Sequence, residues 1–174
     1  MLKKIIFAVV CFASAAIMFA DTNVTLNNDA KTWKLFQWVK DGNLECQDGI
    51  LKVTTANPGK GLHYFNDVNI NLDKGLTVTV SFDWKAEAPN GVKLTHIACG
   101  LYQYNAQNRY MNKAFSCGTI TVAKKSDDWK TFKRTVKIEP AKVPGVAYFK
   151  PFISFSKGGT FEVRNFKIEV KNIK

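Results

Sequence analysis

Aromatic and basic side chains alternate with apolar residues along two stretches of the chain, and they are the residues best placed for chemistry. In the first stretch the even positions include His96, Tyr102 and Tyr104. In the second stretch, alternation gives one side to Tyr148, Lys150, Phe152 and Ser154. Rings beside a few placed polar groups suit recognition of a ligand. We therefore take these two stretches as the candidate binding face.

No set of residues predicts catalysis. Glycoside hydrolysis needs two carboxylates that flank one bond, but the acidic residues here lie mostly in turns or are paired with lysine along strands. His63 and His96 are the only two histidines, and no motif ties either of them to a cysteine. The sequence also lacks a nucleophile motif, a phosphate-binding loop and a metal-spaced histidine set. We predict that the chain is not an enzyme, and a small hydrolase or lyase is the lesser alternative.

The N-terminus has the pattern of a secretory signal peptide. Lys3 and Lys4 precede an apolar run that ends in small residues at Ala20. This run is shorter than the roughly 20 residues of a spanning helix, and no later stretch could span a bilayer. We predict a signal peptide over residues 1–20, cleaved after Ala20 or alternatively after Ala16, and a secreted, periplasmic or envelope location. An uncleaved membrane anchor is the competing interpretation.

The remaining residues, 21–174, are enough for a single domain with a real core. The whole chain carries a formal charge of +11, and removing Lys3 and Lys4 leaves +9. A basic exported domain can be drawn to an acidic polysaccharide, although charge that serves only solubility explains the composition equally well. The basic residues are dispersed along the sequence, so no cluster predicts nucleic-acid binding.

Three cysteines, Cys46, Cys99 and Cys117, follow the predicted cleavage site. An odd number leaves at least one of them unpaired. Cys99 and Cys117 lie near the ends of two consecutive predicted strands, so they are the candidate disulfide. The alternative is three small buried thiols that pack as apolar groups.

A strand over residues 76–87 organises the rest of the chain, because its apolar residues alternate with polar ones throughout. Turn signals such as Asp48-Gly49 separate further short strands, and residues 106–113 read as a polar loop. No helical period is present, so nine or ten strands predict an antiparallel β-sandwich closed as a jelly roll. The predicted strands cover residues 32–39, 44–46, 50–55, 62–70, 76–87, 92–105, 115–122, 130–139, 146–155 and 160–170.

Four motifs resemble the secreted jelly-roll carbohydrate-binding modules attached to xylanases and glucanases (families four, nine and twenty-two), which are galactose-binding-like β-sandwiches. The motifs are 48–53, 80–86 after the turn at Gly75, 128–132 and 159–168, within a span of about 42–170. The resemblance implies an all-β, two-sheet jelly roll that binds a polysaccharide on an aromatic-lined concave face, without catalysis. It also adds His63 and Tyr64 to the candidate site, and it places Trp84 and Trp129 in the core.

The resemblance has one departure, at the last strand. These modules usually carry an Asp pair there, where an acidic residue helps to hold a structural calcium ion. Arg164 and Asn165 stand at the corresponding positions. Calcium prefers several oxygen ligands including carboxylates, and a neighbouring arginine opposes it. The sequence therefore argues against that calcium site, and no cofactor is expected.

A second function remains open from the sequence. Modules of this kind usually accompany an enzyme, and this sequence has no enzyme beside the module. That favours, as the alternative, a structural or adhesion protein of the envelope that uses the same sandwich for protein–protein contact. The sequence indicates no oligomeric state.

Overall fold

The chain folds into two stacked antiparallel sheets. The structure is a computed structural model, and it describes residues 23–24, 33–35, 43–55, 62–66, 68–87, 95–122, 125–156 and 159–173. The predicted signal peptide lies outside these residues. Within them are twelve strands: β1 (Asn23–Val24), β2 (Trp33–Leu35), β3 (Asn43–Gln47), β4 (Ile50–Thr55), β5 (Leu62–Asn66), β6 (Ile70–Asn71), β7 (Leu76–Glu87), β8 (Thr95–Tyr104), β9 (Tyr110–Val122), β10 (Lys130–Ile138), β11 (Tyr148–Ser156) and β12 (Gly159–Asn172).

Each sheet has six strands in the described part of the chain. The first, which we call the β7 sheet, has the order β10-β7-β12-β4-β3, with β1 paired to β12. The second, the β8 sheet, has the order β2-β5-β11-β8-β9, with β6 paired to β11. A single short 3₁₀ helix, Pro140–Lys142, is described between β10 and β11. The predicted all-β, two-sheet antiparallel sandwich is therefore confirmed.

Strand β7 forms the spine of the first sheet, as its sequence pattern predicts. Its buried and half-buried residues alternate without a break from Leu76 to Ala86. Val78 and Phe82 are no more than 1% exposed, and burying side chains of this size contributes about 1.5–3 kcal/mol each. On the facing sheet, Ile97 and Leu101 of β8 are equally buried. The two inner faces therefore supply one continuous core.

Aromatic rings join the two layers and brace the first sheet. Phe155 of β11 stacks on Phe161 of β12 with ring centroids 5.4 Å apart. Within the β7 sheet, Phe82 stacks on Phe132 at 5.0 Å and on Phe166 at 5.5 Å. Such pairs add about 0.5–1.5 kcal/mol beyond the area that they bury. Trp84 is 6% exposed and belongs to this core, as predicted.

Two local backbone features shape the strands. Asp48 and Gly49 both have positive φ, 51° and 73°, which is the requirement of the two-residue hairpin predicted between β3 and β4. Strand β12 has a register shift between Arg164 and Lys167, where Asn165 adopts a φ of 54°. Asparagine tolerates this conformation better than most residues, so it suits a bulge at this point.

Several boundaries differ from the prediction. Strand β9 begins at Tyr110, so the hairpin loop is shorter than the predicted 106–113. The predicted stretch 62–70 contains two strands, β5 and β6, rather than one. Both differences follow from pairing, because Tyr110 is held opposite Tyr104 and β6 pairs with β11.

The predicted disulfide between Cys99 and Cys117 is absent, because both residues are free, buried thiols. Cys99 pairs with Gly118, and the register then shifts so that Gly100 faces Ser116. Cys117 is therefore the extra residue of a bulge rather than the partner of Cys99. Both side chains pack in the core as small apolar groups, as the alternative interpretation expects of them, and the Cys46 side chain lies outside the described residues.

We expect these two thiols to resist alkylation by iodoacetamide in the native protein at neutral pH. The thiolate is the reactive form, and burial raises the pKa of Cys99 strongly and that of Cys117 to about 12. After unfolding without a reductant, both residues should label fully, as measured by peptide mass spectrometry. Peptides that stay unlabelled in denaturant until a reductant is added would show that the disulfide forms after all.

Candidate functional site

The outer side of the β8 sheet gathers most of the aromatic residues singled out in the sequence. Tyr102, Tyr104 and Phe152 form a buried group separate from the main core, with Tyr110 and Tyr148 packed against it. We call these five residues the tyrosine cluster. Pairing between β8 and β11 brings them together, because Tyr148 lies opposite Tyr104. Residues opposite each other in a ladder share one face of the sheet.

The rings of the tyrosine cluster pack mainly on one another. Tyr102 stacks on Phe152 with centroids 4.2 Å apart, and Tyr104 stacks on Tyr148 at 5.2 Å. Tyr110 meets Tyr102 edge-on at 5.3 Å. Lys150 places its ammonium group 5.4 Å from the centre of the Tyr104 ring, within reach of a cation–π interaction. The cluster is thus a packed wall of rings that carries one cation.

Gly100 makes room for this wall. A Cβ atom on Gly100 would lie 2.5 Å from the carbonyl oxygen of Phe115 and 2.7 Å from a ring atom of Phe152. The Phe152 ring therefore lies directly over the glycine, its partner in the neighbouring strand. A glycine at this position allows an aromatic side chain to lie flat across the sheet.

The loop between β8 and β9 is tied to the same wall. The Asn105 side-chain oxygen accepts hydrogen bonds from the backbone N–H groups of Gln107 and Arg109, at 3.1 and 2.9 Å. The Tyr148 hydroxyl donates to the side-chain oxygen of Asn108. These bonds hold the loop in one shape beside the rings. They give the hairpin a defined edge from which Arg109 extends into solvent.

Burial divides the cluster into an inner and an outer part. Tyr102, Phe152 and Tyr104 are only 4%, 7% and 9% exposed, so their faces offer little surface to a ligand. Tyr110 and Tyr148 are half-buried. Burial raises the pKa of Tyr102 and of Tyr110, so both hydroxyls stay protonated over the physiological range. The surface that a ligand can reach is thus the outer rim rather than the inner rings.

Beyond the wall, the same face becomes small and polar. Ala98 and Ser154 lie opposite each other on β8 and β11, and both are half-buried. Beside them, Thr119 and Thr121 of β9 are exposed. We call Ala98 and Ser154 the small-residue floor. Its short side chains rise little above the sheet between the tyrosine cluster and the far end of β8.

His96 closes the far end of this face. Its Nδ1 atom lies 3.4 Å from the Thr121 hydroxyl, and the ring is half-buried. At about 3.3 Å per residue, His96 is roughly 26 Å from Tyr104 along β8. The structure therefore brings Tyr102, Tyr104 and the β11 residues together, but it leaves His96 apart from them across the small-residue floor.

His63 and Tyr64 lie on β5, next to β11. His63 pairs with Ser154 of the small-residue floor, whereas Tyr64 pairs with Ile153, which is buried in the core. Their side chains lie outside the described residues, so their part in binding stays a prediction. Phe65 pairs with Phe152. Neither Phe65 nor Tyr110 was singled out in the sequence, although Phe65 directly follows His63 and Tyr64; Tyr110 falls in the stretch that was predicted to be a polar loop.

Trp129 is not in the core, which corrects the prediction for this residue. It is half-buried on the outer side of the β7 sheet. The Arg164 guanidinium lies 4.1 Å and the Lys85 ammonium 5.0 Å from its ring centre. At these distances both cations make cation–π interactions with the indole ring of Trp129 at the protein surface.

Arg164 also contacts the carboxylate nearest to the expected calcium position in the last strand, that of Asp83. Its Nε atom lies 3.4 Å from an Asp83 carboxylate oxygen, which also accepts a hydrogen bond of 2.8 Å from Asn165. The Thr131 hydroxyl donates to the second oxygen at 2.8 Å. The residues at the calcium position of the related modules thus supply cationic and amide donors to Asp83. They do not suit a cation site, and the expectation of no cofactor stays a prediction.

A cavity of about 390 Å³ lies on the same outer side. Its charged lining includes Lys125, which forms ion pairs with Glu87 at 3.7 Å and with Asp127 at 3.4 Å. These charges satisfy one another, and none of the predicted site residues lines the cavity. Across the described residues, no group of three or more His, Cys, Asp or Glu side chains could hold a metal ion. No helix there is long and apolar enough to cross a membrane.

No protein-family model matches the chain, and no curated protein matches it in sequence. Solved structures match its fold. The CBM22-2 xylan-binding domain from Paenibacillus barcinonensis Xyn10C gives a TM-score of 0.56 at 16% identity, covering 84% of this chain and 94% of that domain. A family 29 carbohydrate binding module gives a TM-score of 0.52 at 13% identity, covering 86% and 88% of the two chains.

A third similar structure is an enzyme domain. The enzymatically active domain of bacteriophage CBA120 tailspike protein 4 gives a TM-score of 0.55 at 12% identity, covering 83% of this chain but 20% of that one. The present chain thus spans about a fifth of the tailspike chain. At these identities the likeness shows the fold alone. The predicted resemblance to jelly-roll carbohydrate-binding modules is confirmed at that level.

Gly100→Ala should destabilise the protein by about 1–3 kcal/mol, because the added methyl group overpacks the niche under Phe152. The midpoint of urea unfolding measures this change. Ala98→Ser, two residues earlier on the same face, is the matched control and should leave the midpoint almost unchanged. A Gly100→Ala variant as stable as the parent would show that the ring does not press on the glycine.

The hydrogen bonds from Thr131 and Asn165, together with Arg164, lower the pKa of Asp83 from its ordinary value of 3.8. A lowered folded-state pKa adds stability that is complete above the unfolded-state pKa and is lost as the pH falls through the folded-state pKa. The stability difference between the parent and Asp83→Asn should therefore be constant near neutral pH and shrink below about pH 4.

Urea titrations at several pH values measure this difference. Asp73→Asn, at an exposed turn, is the control with the same change of charge. Its difference from the parent should stay small, because Asp73 is exposed. An Asp83→Asn variant that behaves like this control would mean that the contacts to Asp83 contribute nothing.

Proposed function

We propose that this chain is a secreted, non-catalytic module that binds a polysaccharide along the outer face of the β8 sheet. The proposal rests on one observation: a sandwich of the carbohydrate-binding-module type presents aromatic and hydroxyl-bearing residues on the outer face of one sheet. The sandwich matches carbohydrate-binding modules over most of both chains, and its outer face sets rings beside small hydroxyl-bearing residues. Secretion is supported by Lys3, Lys4 and the apolar run after them.

The small-residue floor would hold the sugar chain. The side chains of Ala98 and Ser154 are short, and the hydroxyl groups of Ser154 and of Thr119 on β9 can exchange hydrogen bonds with sugar hydroxyls. The half-buried rim of the tyrosine cluster would contact the apolar C–H surface of a sugar ring, as aromatic side chains do in binding sites. Tyr148 and Tyr110 are the rings best placed for this contact.

Lys150 and Arg109 lie at the same rim and can donate hydrogen bonds to sugar oxygens. Lys150 is held near the Tyr104 ring, and Arg109 is exposed on the ordered hairpin loop. The family 29 and family 22 neighbours include a module complexed with cellulohexaose and a xylan-binding domain. We therefore propose β-linked plant polysaccharides as the first ligands to test on this chain.

The inner rings are poor positions for testing this proposal. Tyr102 and Phe152 are almost fully buried and stacked on each other. Truncating a buried aromatic residue to alanine costs about 3–5 kcal/mol, so lost binding could not be separated from lost folding. The small-residue floor is a better target, because a large side chain there blocks the face without removing packing.

Ser154→Trp should weaken binding to xylan or hydroxyethylcellulose at least about tenfold, since the indole would fill the space above the floor. Affinity electrophoresis with purified protein, followed by calorimetry on oligosaccharides, measures the change. Thr54→Trp is the matched control, because Thr54 is exposed on a strand of the opposite sheet. Circular dichroism should show that both variants are folded.

Unchanged affinity in Ser154→Trp would exclude this face as the binding site. If the parent chain binds no polysaccharide and instead forms a stable oligomer in light scattering, the envelope adhesion alternative takes its place. Turnover of any of these polysaccharides by the purified chain would contradict the non-catalytic part of the proposal.

A further inference from the structure

The outer side of the β7 sheet carries a regular grid of polar side chains. The registers of β10, β7 and β12 set nine residues in three rows of three. The rows are Lys133–Ser81–Lys167, Thr135–Thr79–Glu169 and Lys137–Thr77–Lys171. Lysines occupy all four corners, and hydroxyl groups fill the middle column. We call these nine residues the lysine grid.

All nine side chains lie on the side of the sheet away from the core. Val78, Val80 and Ile168, which alternate with them, are at most 1% exposed, and successive strand residues point to opposite faces. The grid residues are exposed or half-buried. From the spacing of strands, the corner lysines are about 10 Å apart across the sheet and about 13 Å apart along it.

The four lysines of the grid carry more positive charge than its one glutamate can neutralise. Lys167 forms an ion pair with Glu169 at 2.5 Å, and Lys167, Lys133 and Lys171 together lower the pKa of Glu169. Within the described part of the chain, Lys133, Lys137 and Lys171 form no ion pair within 4.0 Å. Four lysines against one glutamate leave the nine residues with a net charge of +3.

Protection of the sheet edge does not explain this arrangement. Lysine on an edge strand discourages pairing with another chain, and β10 is an edge strand, so Lys133 and Lys137 could serve that purpose. Strand β12, however, lies inside the sheet between β7 and the strands β4 and β1. Edge protection therefore does not account for Lys167 and Lys171, which lie on β12 and share the outer side of the sheet with the lysines of β10.

The chemistry of the grid favours a hydroxylated polyanion. Lysine ammonium groups suit carboxylate or sulfate groups that repeat along a flexible chain. The hydroxyl groups of Ser81 and Thr77 between them can bond sugar hydroxyls, whereas that of Thr79 shares a hydrogen bond of 2.8 Å with Thr135. Proteins that insert into lipid surfaces present apolar residues beside the basic ones, and those that bind single-stranded nucleic acid present rings. The nine residues of the grid are lysine, serine, threonine and glutamate.

We propose that the lysine grid is a second glycan-binding surface, specific for an anionic polysaccharide that carries carboxylate or sulfate groups. It lies on the sheet opposite the tyrosine cluster, so it does not rest on the function proposed above. The polyanion lies across β10, β7 and β12, with its acidic groups at the corner lysines and its hydroxyls over the middle column.

The test compares two double variants of equal charge change. Lys137→Gln/Lys171→Gln removes two corners of the grid, and Lys113→Gln/Lys142→Gln removes two exposed lysines elsewhere. Affinity for polygalacturonate and for dextran sulfate is measured by calorimetry at several salt concentrations, with neutral dextran as the blank. The grid variant should bind the preferred polyanion about tenfold more weakly and with a smaller salt dependence. The control variant should bind like the parent.

Several results would overturn the proposal. They are equal losses in the two double variants, binding of neither polyanion by the parent, or stronger binding to vesicles rich in phosphatidylglycerol or to duplex DNA than to either polysaccharide. Preference for polygalacturonate or for dextran sulfate identifies the acidic group. Ser154→Trp should leave polyanion binding intact, so failure of one surface is distinguishable from failure of the other.

Discussion

The whole structure depends on the register of β7 between β10 and β12. In this register every apolar residue from Leu76 to Ala86 faces the second sheet. A slip of one residue would turn that entire row into solvent. The same register aligns the polar residues of three strands on the outer side, from Asp83 with its donors to the lysine grid. Core packing and surface chemistry are thus two results of one backbone alignment.

The second sheet handles its outer face differently. Strand β8 keeps its core side regular, but its outer side changes along its length from small residues to stacked rings. Gly100 marks the change, because its missing side chain lets the Phe152 ring cross the sheet. Next to the rings, the loop between β8 and β9 is held in place by the hydrogen bonds of Asn105 and Asn108. The result is a face with a wall of stacked rings beside a floor of small side chains.

Alternation in the sequence was enough to predict the fold, the inner sides of β7, β8 and β11, and the common side of Tyr148, Lys150 and Phe152. It could not predict how far the rings would bury one another, because that depends on stacking between strands. Trp129 was wrongly predicted to lie in the core for a similar reason. Its ring packs against the guanidinium of Arg164, which is distant in sequence. The lysines of the grid looked dispersed because two strands that are distant in sequence, β10 and β12, contribute them.

The bulge at Asn165 has a consequence for chain length. Before it, the buried residues of β12 have odd numbers, Phe161 and Val163, and after it they have even numbers, Phe166 and Ile168. The bulge compensates for this change from odd to even numbers, so the apolar residues of β12 face the core along its whole length. Deleting Asn165 would leave one unbroken alternation from Phe161 to Val170, with the apolar residues still on the core, but it would remove the amide that donates to Asp83. Asn165 is therefore a position at which this strand can lose a single residue and still keep its apolar side on the core.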